Sequence, residues 1–356
     1  MSNLIIILSD RLGGAEQVLQ KITKFHSKEI VDVIFLSKKT SNEWEENLKI
    51  NLIKDFKSKS YIINLFSLGI YLLQNKNIYT RVYSSQTIIS GALGFFRKLK
   101  ILDTKYLIVR ESTSIFLRFN FFKKTIYKWF YRIGYNYTDL IICQTSLMKK
   151  QLLDSIPYLK GKVQVVANPF EFPSKDQINE EIQTDKKYIV GAGRLIIEKG
   201  FDNLIQAYKN LENFNNDFFL VILGEGPERD NLEKLIIDLG LNNKVLLLGH
   251  VKNVYPYFKK ASLCVVSSRI EGFPNVLLQM MSVNNNVIST NCAGDISDIP
   301  CLQTLEPEDI DNLTYLLSKK LTKTLTPKKN NFNSYLSQRG IKSFMKEIDF
   351  YLTHKI

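Results

Sequence analysis

The stretch Leu263-Cys-Val-Val-Ser-Ser-Arg-Ile-Glu-Gly-Phe-Pro-Asn-Val-Leu-Leu-Gln-Met-Met281 decides the fold. The apolar run Leu263–Val266, bounded by two serines, predicts a buried parallel strand. Gly272 supplies a flexible turn, and the fixed φ of Pro274 is suited to the first residue of a helix. The order strand, short loop, helix is the repeating unit of α/β folds.

This order places Glu271 in the loop and the first helical N–H groups, those of Asn275 and Val276, at the carboxyl end of a sheet. Ligands of α/β folds bind at that end, and helix N-termini hold phosphate well. The stretch therefore predicts a ligand site. An ordinary strand–helix junction is the alternative that the pattern leaves open.

Composition limits the class of protein. At 356 residues the chain is long enough for two domains, and 45% hydrophobic residues suffice for two cores. No apolar run approaches the roughly 20 residues that span a bilayer, and the start lacks a basic signal region. The four cysteines, Cys143, Cys264, Cys292 and Cys301, lack metal-site spacing and read as reduced thiols of a cytoplasmic protein.

The formal net charge of +13 fits nucleic acid, an anionic membrane or anionic substrates. No nucleic-acid motif accompanies the charge, so we expect no nucleic-acid partner.

Short apolar runs alternate with helical segments along the whole chain. This rhythm predicts doubly wound parallel sheets of the Rossmann type. A change of composition after Asn168, with two prolines and clustered polar residues, marks a linker. The predicted boundaries are a domain at 1–168, a linker at 169–186, a second domain at 187–330, and a C-terminal helix at 331–356 that packs back on the first domain.

The first strand of the second domain runs into Gly191-Ala-Gly-Arg-Leu-Ile-Ile-Glu-Lys-Gly-Phe-Asp202. Glycine followed by two separated cations, Arg194 and Lys199, can form a diphosphate clamp at the sheet edge. Asp202 or a neighbour caps the next helix. The alternative is that both cations are simply solvated.

Three motifs resemble those of the retaining glycosyltransferases of family 4. Glu271-Gly-Phe-Pro-Asn-Val-Leu-Leu-Gln279 is similar to the family's motif of a Glu, seven residues and a second Glu, and Gly193-Arg-Leu-x-x-x-Lys-Gly200 to its donor-phosphate motif. Gly13-Gly-Ala-Glu16 is similar to its N-terminal loop. The resemblance spans about residues 13 to 290.

The resemblance implies roles for individual residues. Arg194 and Lys199 would bind the donor pyrophosphate and stabilise its departure, while Glu271 would contact the sugar. Further donor-binding positions implied by the same resemblance are Gly13, Gly14, His250, Val251, Asn275, Val276 and Gln279. For His250 a surface or turn position is the alternative. No metal and no cofactor beside the nucleotide sugar are implied.

The sequence departs from the family pattern at two places. Gln279 replaces the second Glu; it can still bond two ribose hydroxyls, and the lost charge should cost on the order of 1 kcal/mol of donor binding. Many relatives carry a histidine after one strand of the first domain, where this chain has Arg110-Glu111. Glu16, Arg110 and Glu111 are candidate contacts for acceptor or sugar, with a structural ion pair as the alternative for the last two.

Two further stretches bear on partners. Phe116–Tyr137 carries five cations among ten aromatic residues and no acid, which fits a peripheral membrane surface; a core helix with outward lysines is the alternative. Asp309-Ile-Asp311 has the composition of an acidic first helical turn, so no metal is needed there.

The resemblance predicts the GT-B architecture: two Rossmann-like domains facing a cleft. It implies retaining transfer of a sugar from a nucleotide diphosphate, with uridine as the expected base, to a lipid-linked glycan in bacterial surface polysaccharide synthesis (lipopolysaccharide, O-antigen or capsule). The expected location is the cytoplasm, at the inner membrane face. The alternatives are a nucleotide-sugar 2-epimerase, a catalytically silent nucleotide-sugar-binding protein, and a nucleic-acid binder resting on charge alone.

Overall fold

A computed structural model describes residues 2–11, 13–40, 44, 50–112, 121–182, 186–211, 218–322 and 332–354. The chain divides into two compact units. The first unit comprises Met1–Pro169 together with Arg339–Ile356, and the second comprises Phe170–Gln338.

The first unit is built on a seven-stranded sheet in the order β3-β2-β1-β4-β5-β6-β7, with neighbours paired in parallel. The order reverses direction between β1 and β4, which makes that junction the topological switch point. The strands are β1 (Ser2–Ile7), β2 (Ile30–Phe35), β3 (Leu52–Asp55), β4 (Ile78–Ser85), β5 (Asp103–Arg110), β6 (Leu140–Cys143) and β7 (Val163–Val165).

The α-helices among the described residues that connect these strands are α1 (Gly14–Phe25), α2 (Tyr61–Gln74), α3 (Thr87–Lys98), α4 (Phe121–Gly134) and α5 (Ser146–Ser155). Side chains of α2 to α5 pack into one buried cluster with the strands. Helices α3 and α4 approach backbone to backbone, because a Cβ added at Gly134 would lie 1.9 Å from the carbonyl oxygen of Gly91.

A second buried cluster joins α1 to the C-terminal helix α13 (Ile341–Thr353), through residues including Phe344 and Ile348. An ion pair also joins α13 to β4: Arg81 Nη2 lies 2.6 Å from Asp349 Oδ1. Helix α12 (Asn333–Ser337) belongs instead to the second unit, so the segment predicted as one C-terminal helix contains two.

The second unit has a six-stranded sheet in the order β10-β9-β8-β11-β12-β13, again paired in parallel. Renumbered from β8, this is the 3-2-1-4-5-6 order of dinucleotide-binding folds, with its switch point between β8 and β11. The strands are β8 (Tyr188–Ala192), β9 (Phe219–Leu223), β10 (Val245–Gly249), β11 (Leu263–Val266), β12 (Val287–Thr290) and β13 (Gln303–Leu305). The predicted pair of doubly wound parallel sheets is therefore confirmed.

The helices of this unit are α6 (Lys175–Asn179), α7 (Phe201–Asn210), α8 (Arg229–Asp238), α9 (Tyr255–Lys260), α10 (Asn275–Val283) and α11 (Ile310–Thr322). Helix α6 lies within the segment expected to be a linker. A capping box between Ser174 and Gln177 starts it, and Asn253 donates to the Gln177 carbonyl at 2.7 Å. Local capping thus gives this polar segment a helical turn that its prolines obscure.

Candidate active site

Glu271 and Lys199 meet at the switch point of the second sheet, although they are 72 residues apart in the chain. Lys199 Nζ lies 2.5 Å from Glu271 Oε1, and the two side chains are 18% and 15% exposed. Ser268 Oγ donates to the same carboxylate oxygen at 2.8 Å, and the Glu271 N–H donates to the Cys292 carbonyl at 2.7 Å. The carboxylate is thereby held at a fixed, half-buried position.

The loops after β8 and β11 are joined closely enough that only glycine fits between them. Gly200 has φ +60, and a Cβ there would lie 2.3 Å from the carbonyl oxygen of Ser267. Ser267 Oγ donates to the Lys199 carbonyl at 3.0 Å. Lys199 is therefore positioned through its backbone as well as through its ammonium group.

Arg269 strengthens the same junction. Its guanidinium donates to both carboxylate oxygens of Asp202, at 2.8 and 2.7 Å, and to the Ile197 carbonyl at 2.7 Å. Burial favours a higher pKa for Asp202, but the bonds from Arg269 outweigh it and the pKa is lowered. Asp202 or a neighbour was predicted to cap the next helix; the capping residue of α7 is the neighbouring Gly200, and Asp202 bonds Arg269 of the adjacent loop.

Helix α10 begins at Asn275, with Pro274 as the residue before it rather than as the first helical residue. Asn275 thus stands at the positive end of the helix dipole, where an anion is stabilised. Val276 packs against the buried cluster. One turn further on, the side chain of Gln279 bonds the hydroxyl of Tyr255, whose pKa burial raises.

Three other predicted donor residues lie at this edge of the sheet with less support. Arg194 follows β8 and is exposed; in the described part of the chain its guanidinium forms no hydrogen bond or ion pair. His250 follows β10 and is also exposed, while Val251 packs against the buried cluster. The structure therefore joins Lys199 to Glu271 and leaves Arg194 and His250 open to solvent.

In the first unit, the Gly13-Gly14 turn follows β1 and starts α1, with Gly13 as the capping residue. The Glu16 carboxylate folds over Gly13, since a Cβ added there would lie 2.6 Å from Glu16 Oε2. Burial raises the pKa of Glu16, and the charge of Arg110 offsets part of that rise.

Arg110, at the end of β5, is 3% exposed. Its Nη2 donates to Asn168 at 2.6 Å, whereas Nε and Nη1 have no hydrogen-bond partner in the described part of the chain. Burial lowers the pKa of Arg110 to about 10, and the charges of Glu16 and Glu111 oppose that shift. Two buried donors left unbonded are costly unless a ligand or water bonds them.

Glu111 has a different environment. Its carboxylate accepts from the hydroxyls of Thr87, Tyr131 and Tyr135 at 3.0, 2.9 and 2.5 Å and is fully buried. Burial raises the pKa of Glu111, and these hydroxyls limit the rise. The predicted contact with acceptor or sugar does not fit this geometry, so we assign Glu111 a positioning role.

No sequence pattern points to Gln86, which follows β4 at the switch point of the first sheet. Its φ of 79° and ψ of 125° lie in a region that side chains rarely adopt, and the next residue, Thr87, bonds Glu111. Backbone strain of this kind concentrates at functional sites. Ser268 was also missed, since a serine after a strand has no special spacing.

Two other expectations concern metals and membranes. Among the described residues, no group of three or more His, Cys, Asp and Glu could hold a metal ion; Asp309 instead caps α11 by accepting from Asn312 N at 3.0 Å. None of the described helices has the length and apolar character needed to cross a bilayer. Of the basic aromatic stretch, residues 116–120 lie outside the described residues, as do the side chains of residues 121–123.

Residues 174–342, the segment that carries Lys199, Glu271 and Gln279, match the family described as Glycosyl transferases group 1. This segment of the chain belongs to the group 1 glycosyltransferases. The matched segment and the relatives named below support an enzyme of this class, as the family resemblance implied.

Named relatives agree with this assignment. An uncharacterized glycosyltransferase of Methanocaldococcus jannaschii is 33% identical over 221 residues, which is 59% of this chain and 53% of that protein. The N-acetylgalactosamine-N,N'-diacetylbacillosaminyl-diphospho-undecaprenol 4-alpha-N-acetylgalactosaminyltransferase of Campylobacter jejuni is 28% identical over 81% of this chain and 80% of its own. The lipopolysaccharide core biosynthesis glycosyltransferase LpsE of Rhizobium meliloti is 30% identical over 44% of this chain and 45% of its own.

Among solved structures, Anabaena HepE in complex with UDP-glucose superposes on this glycosyltransferase with a TM-score of 0.79 at 16% identity, covering 99% of both chains. WaaG, described as involved in lipopolysaccharide biosynthesis, gives a TM-score of 0.73 at 16% identity, over 99% of this chain and 100% of its own. The fold is GT-B, as predicted.

Proposed function

We propose that this glycosyltransferase moves a sugar, with retention of anomeric configuration, from a UDP-linked donor to a lipid-linked glycan. The observation that carries the proposal is the pair of Lys199 and Glu271, fixed at 2.5 Å at the switch point of the second sheet and next to the start of α10. A carboxylate that orients sugar hydroxyls beside a cation that receives phosphate suits departure of a nucleoside diphosphate.

In this mechanism the second unit binds the donor. Glu271 accepts hydrogen bonds from the sugar, while Lys199, which has three donors, bonds both Glu271 and a phosphate oxygen. The exposed guanidinium of Arg194 and the N-terminus of α10, at Asn275 and Val276, bind the remaining phosphate oxygens. Gln279 bonds the ribose, and the segment at His250 and Val251 borders the base.

The chemistry needs no metal and no enzyme nucleophile. The bond from the anomeric carbon to the phosphate oxygen breaks, the acceptor oxygen bonds that carbon on the same face, and the acceptor proton passes to the departing phosphate. The residues contribute position and charge stabilisation, which together account for large rate accelerations.

We propose that the polar edge of the first sheet binds a hydroxyl-bearing group of acceptor or sugar. Arg110 has two buried N–H groups to donate, and the Glu16 carboxylate lies close enough to interact with it electrostatically without forming an ion pair. A hydroxyl can accept from arginine and donate to a carboxylate at once. Gly13 and Gly14 let the backbone approach this group closely.

Two relatives support the acceptor and its setting. The Campylobacter protein is named for a diphospho-undecaprenol substrate, and the Rhizobium protein for lipopolysaccharide core biosynthesis. We infer from them a lipid-linked acceptor, a role in bacterial surface polysaccharide synthesis, and work at the inner face of the cell membrane.

A thermal-shift panel of UDP, GDP and their sugars tests the donor, because a ligand that binds the folded state raises the melting temperature. We expect UDP and one UDP-sugar to give the largest shifts. Transfer to an undecaprenyl-diphosphate glycan, with the anomeric proton followed by NMR, then tests acceptor and stereochemistry. An inverted product would remove the retaining mechanism, and UDP-sugar binding without transfer would favour a silent binding protein.

A further inference from the structure

Helix α2 is apolar on two sides, and only one of them is covered. Leu65, Leu68 and Leu72 pack into the buried cluster of the first unit, and Gly69 lies against Phe96 of α3. Ser60 starts the helix by accepting from the Ile63 N–H. This buried side accounts for the place of α2 in the fold and does not require further apolar residues on the other side.

The opposite side carries five large apolar side chains that remain exposed: Ile62 at 65%, Ile63 at 54%, Phe66 at 71%, Ile70 at 56% and Leu73 at 47%. At about 100° per residue they fall within a sector of roughly 100°, so they form one continuous stripe. Single exposed apolar residues are ordinary, but a continuous patch on a soluble domain marks an interaction surface.

The stretch of chain that carries this stripe has charged residues of one sign only. Residues 56–102 contain no Asp or Glu, and they include Lys57, Lys59, Lys76, Lys98 and Lys100. All five lysines are exposed, and none forms an ion pair in the described part of the chain. A surface of this composition attracts an anionic partner.

Helix α4 extends the same kind of surface. Tyr61 at the start of α2 lies beside Tyr127 of α4, close enough for the two hydroxyls to interact. On α4, Ile126 and Trp129 are 41% and 56% exposed, and Lys128 is exposed as well. Aromatic and basic side chains together are typical of elements that lie in a membrane interface.

We propose that the exposed stripe of α2, Ile62, Ile63, Phe66, Ile70 and Leu73, inserts into the interface of an anionic phospholipid bilayer, with the surrounding lysines against lipid headgroups. Charge complementarity selects a bilayer over a second copy of this chain, because two copies would bring like charges together. The inference rests on the proposed function only for its purpose, which is to bring the enzyme to a lipid-linked acceptor.

Vesicle co-sedimentation tests the proposal with the full chain. Wild type should bind phosphatidylcholine vesicles containing one quarter phosphatidylglycerol, bind pure phosphatidylcholine at least about tenfold less, and release as salt rises, since salt screens the lysines. Ile62→Ser, Phe66→Ser and Ile70→Ser combined should weaken binding on the order of 100-fold, because interfacial binding scales with buried apolar area.

The matched control combines Ile237→Ser, Leu246→Ser and Tyr315→Ser, three exposed apolar residues of the second unit. Insertion depth is measured by quenching of tryptophan fluorescence with brominated lipid. Two variants are compared, Phe66→Trp and Ile237→Trp, each in a Trp129→Phe background. Brominated lipid should quench the tryptophan at position 66 and not the one at position 237. Equal losses in both triple variants, equal binding to neutral vesicles, or a wild-type dimer without vesicles that the α2 triple variant abolishes would each overturn the proposal.

A UDP thermal shift on the same samples separates the two proposals. An α2 variant that loses vesicle binding should keep its UDP shift, because no α2 residue belongs to the donor site. If wild type binds UDP but does not bind anionic vesicles, the membrane proposal is wrong and the transferase proposal is unaffected. If wild type binds vesicles through α2 but transfers no sugar, the transferase proposal is wrong and the membrane proposal is unaffected.

Discussion

The two sheets share one strand order and one kind of switch point, but their carboxyl edges differ in how the polar groups are paired. In the second unit, Lys199 and Ser268 both donate to Glu271, and Arg269 donates to Asp202. In the first unit, two guanidinium nitrogens of Arg110 have no hydrogen-bond partner among the described residues, and Gln86 has a strained backbone.

The edge of the second sheet therefore has the character of a preorganised site, and the edge of the first sheet has polar groups that a ligand could still bond. Preorganised charge costs no reorganisation when the donor bond breaks, which favours catalysis at the second sheet. Buried donors without partners stabilise the ligand-bound state, so the edge of the first sheet is suited to ligand recognition. The buried cluster around Glu111 stabilises the carboxyl edge of the first sheet, because Glu111 bonds Thr87, the residue directly after Gln86.

The largest effect is expected at Glu271. Glu271→Gln keeps the size of the side chain but removes the charge that Lys199 faces at 2.5 Å. We expect kcat/KM for the donor to fall by about 10²–10³-fold. Adding Lys199→Met should cost little more, because paired groups act as a unit. Glu308→Gln, which alters an exposed partner of Arg269, is the control and should stay near wild type. A loss under tenfold, or additive losses, would show that the pair is not preorganised for catalysis.

Arg110 tests the open edge. Arg110→Lys keeps a cation but lacks the fixed donor geometry of guanidinium. We expect kcat/KM for the acceptor to fall about 10–100-fold while the KM for the donor changes little, measured with each substrate varied in turn. Arg81→Lys is the matched control, because Arg81 belongs to the same unit and is bonded to Asp349. Equal losses in the two variants would reduce Arg110 to a structural residue.

Glu16 adds a pH dependence to the same edge. Burial raises the pKa of Glu16, so this carboxylate takes up a proton at a higher pH than an exposed one. Because the carboxylate accepts from a hydroxyl more strongly than the protonated acid does, kcat/KM should fall by up to about tenfold per pH unit below that pKa. Glu16→Gln should lack this acid limb and have lower activity at neutral pH. If the fall of kcat/KM at low pH persists in Glu16→Gln, the titration of another group causes it.

The raised pKa of Glu16 has the opposite consequence for stability. Its contribution to the free energy of unfolding is fully present below the unfolded pKa and is lost as pH rises through the folded pKa. Unfolding by urea at several pH values should therefore show Glu16→Gln gaining stability relative to wild type as pH rises toward neutral.

The site of the second sheet could be predicted from sequence because its parts are local. Strand, glycine and helix signals around Arg194 and Lys199, and again around Glu271, fix each loop separately, and parallel pairing of β8 with β11 brings them together. The longer helices could likewise be predicted from their periodicity, whereas the five-residue helix α6 could not. Strand β3 could not, because its four residues are only half-buried and alternate weakly.

The edge of the first sheet could be predicted only in part. Arg110 and Glu111 are adjacent in sequence and point to opposite sides of a strand, so one can face a ligand while the other is buried. Which of them does so depends on Tyr131 of α4 and on Tyr135 just after that helix, 20 and 24 residues away, whose hydroxyls bond Glu111. The positive φ of Gln86 has no local signal, because glutamine does not favour it.

A smaller effect is expected at Gln279. Gln279→Glu keeps a partner for the Tyr255 hydroxyl and adds the charge that the family motif carries. Titration calorimetry with UDP should show about fivefold tighter binding, on the order of 1 kcal/mol. Gln177→Glu, in the capping box of α6, is the control and should leave UDP affinity unchanged. If Gln279→Glu also leaves it unchanged, this position does not contact the ribose.

The smallest effect concerns the strain at Gln86. Gln86→Gly removes a backbone cost of about 1–3 kcal/mol, less the extra flexibility that glycine gives the unfolded chain. We expect a net gain of about 1 kcal/mol, a rise of roughly 2–4 °C in melting temperature, and lower activity because the amide is lost. Gln86→Ala should lose the same activity without the gain. Lys100→Gly, at another positive φ in the same unit, should gain stability and keep full activity. A fully active Gln86→Gly would mean that the strain is a feature of the fold and that this edge binds its ligand without Gln86.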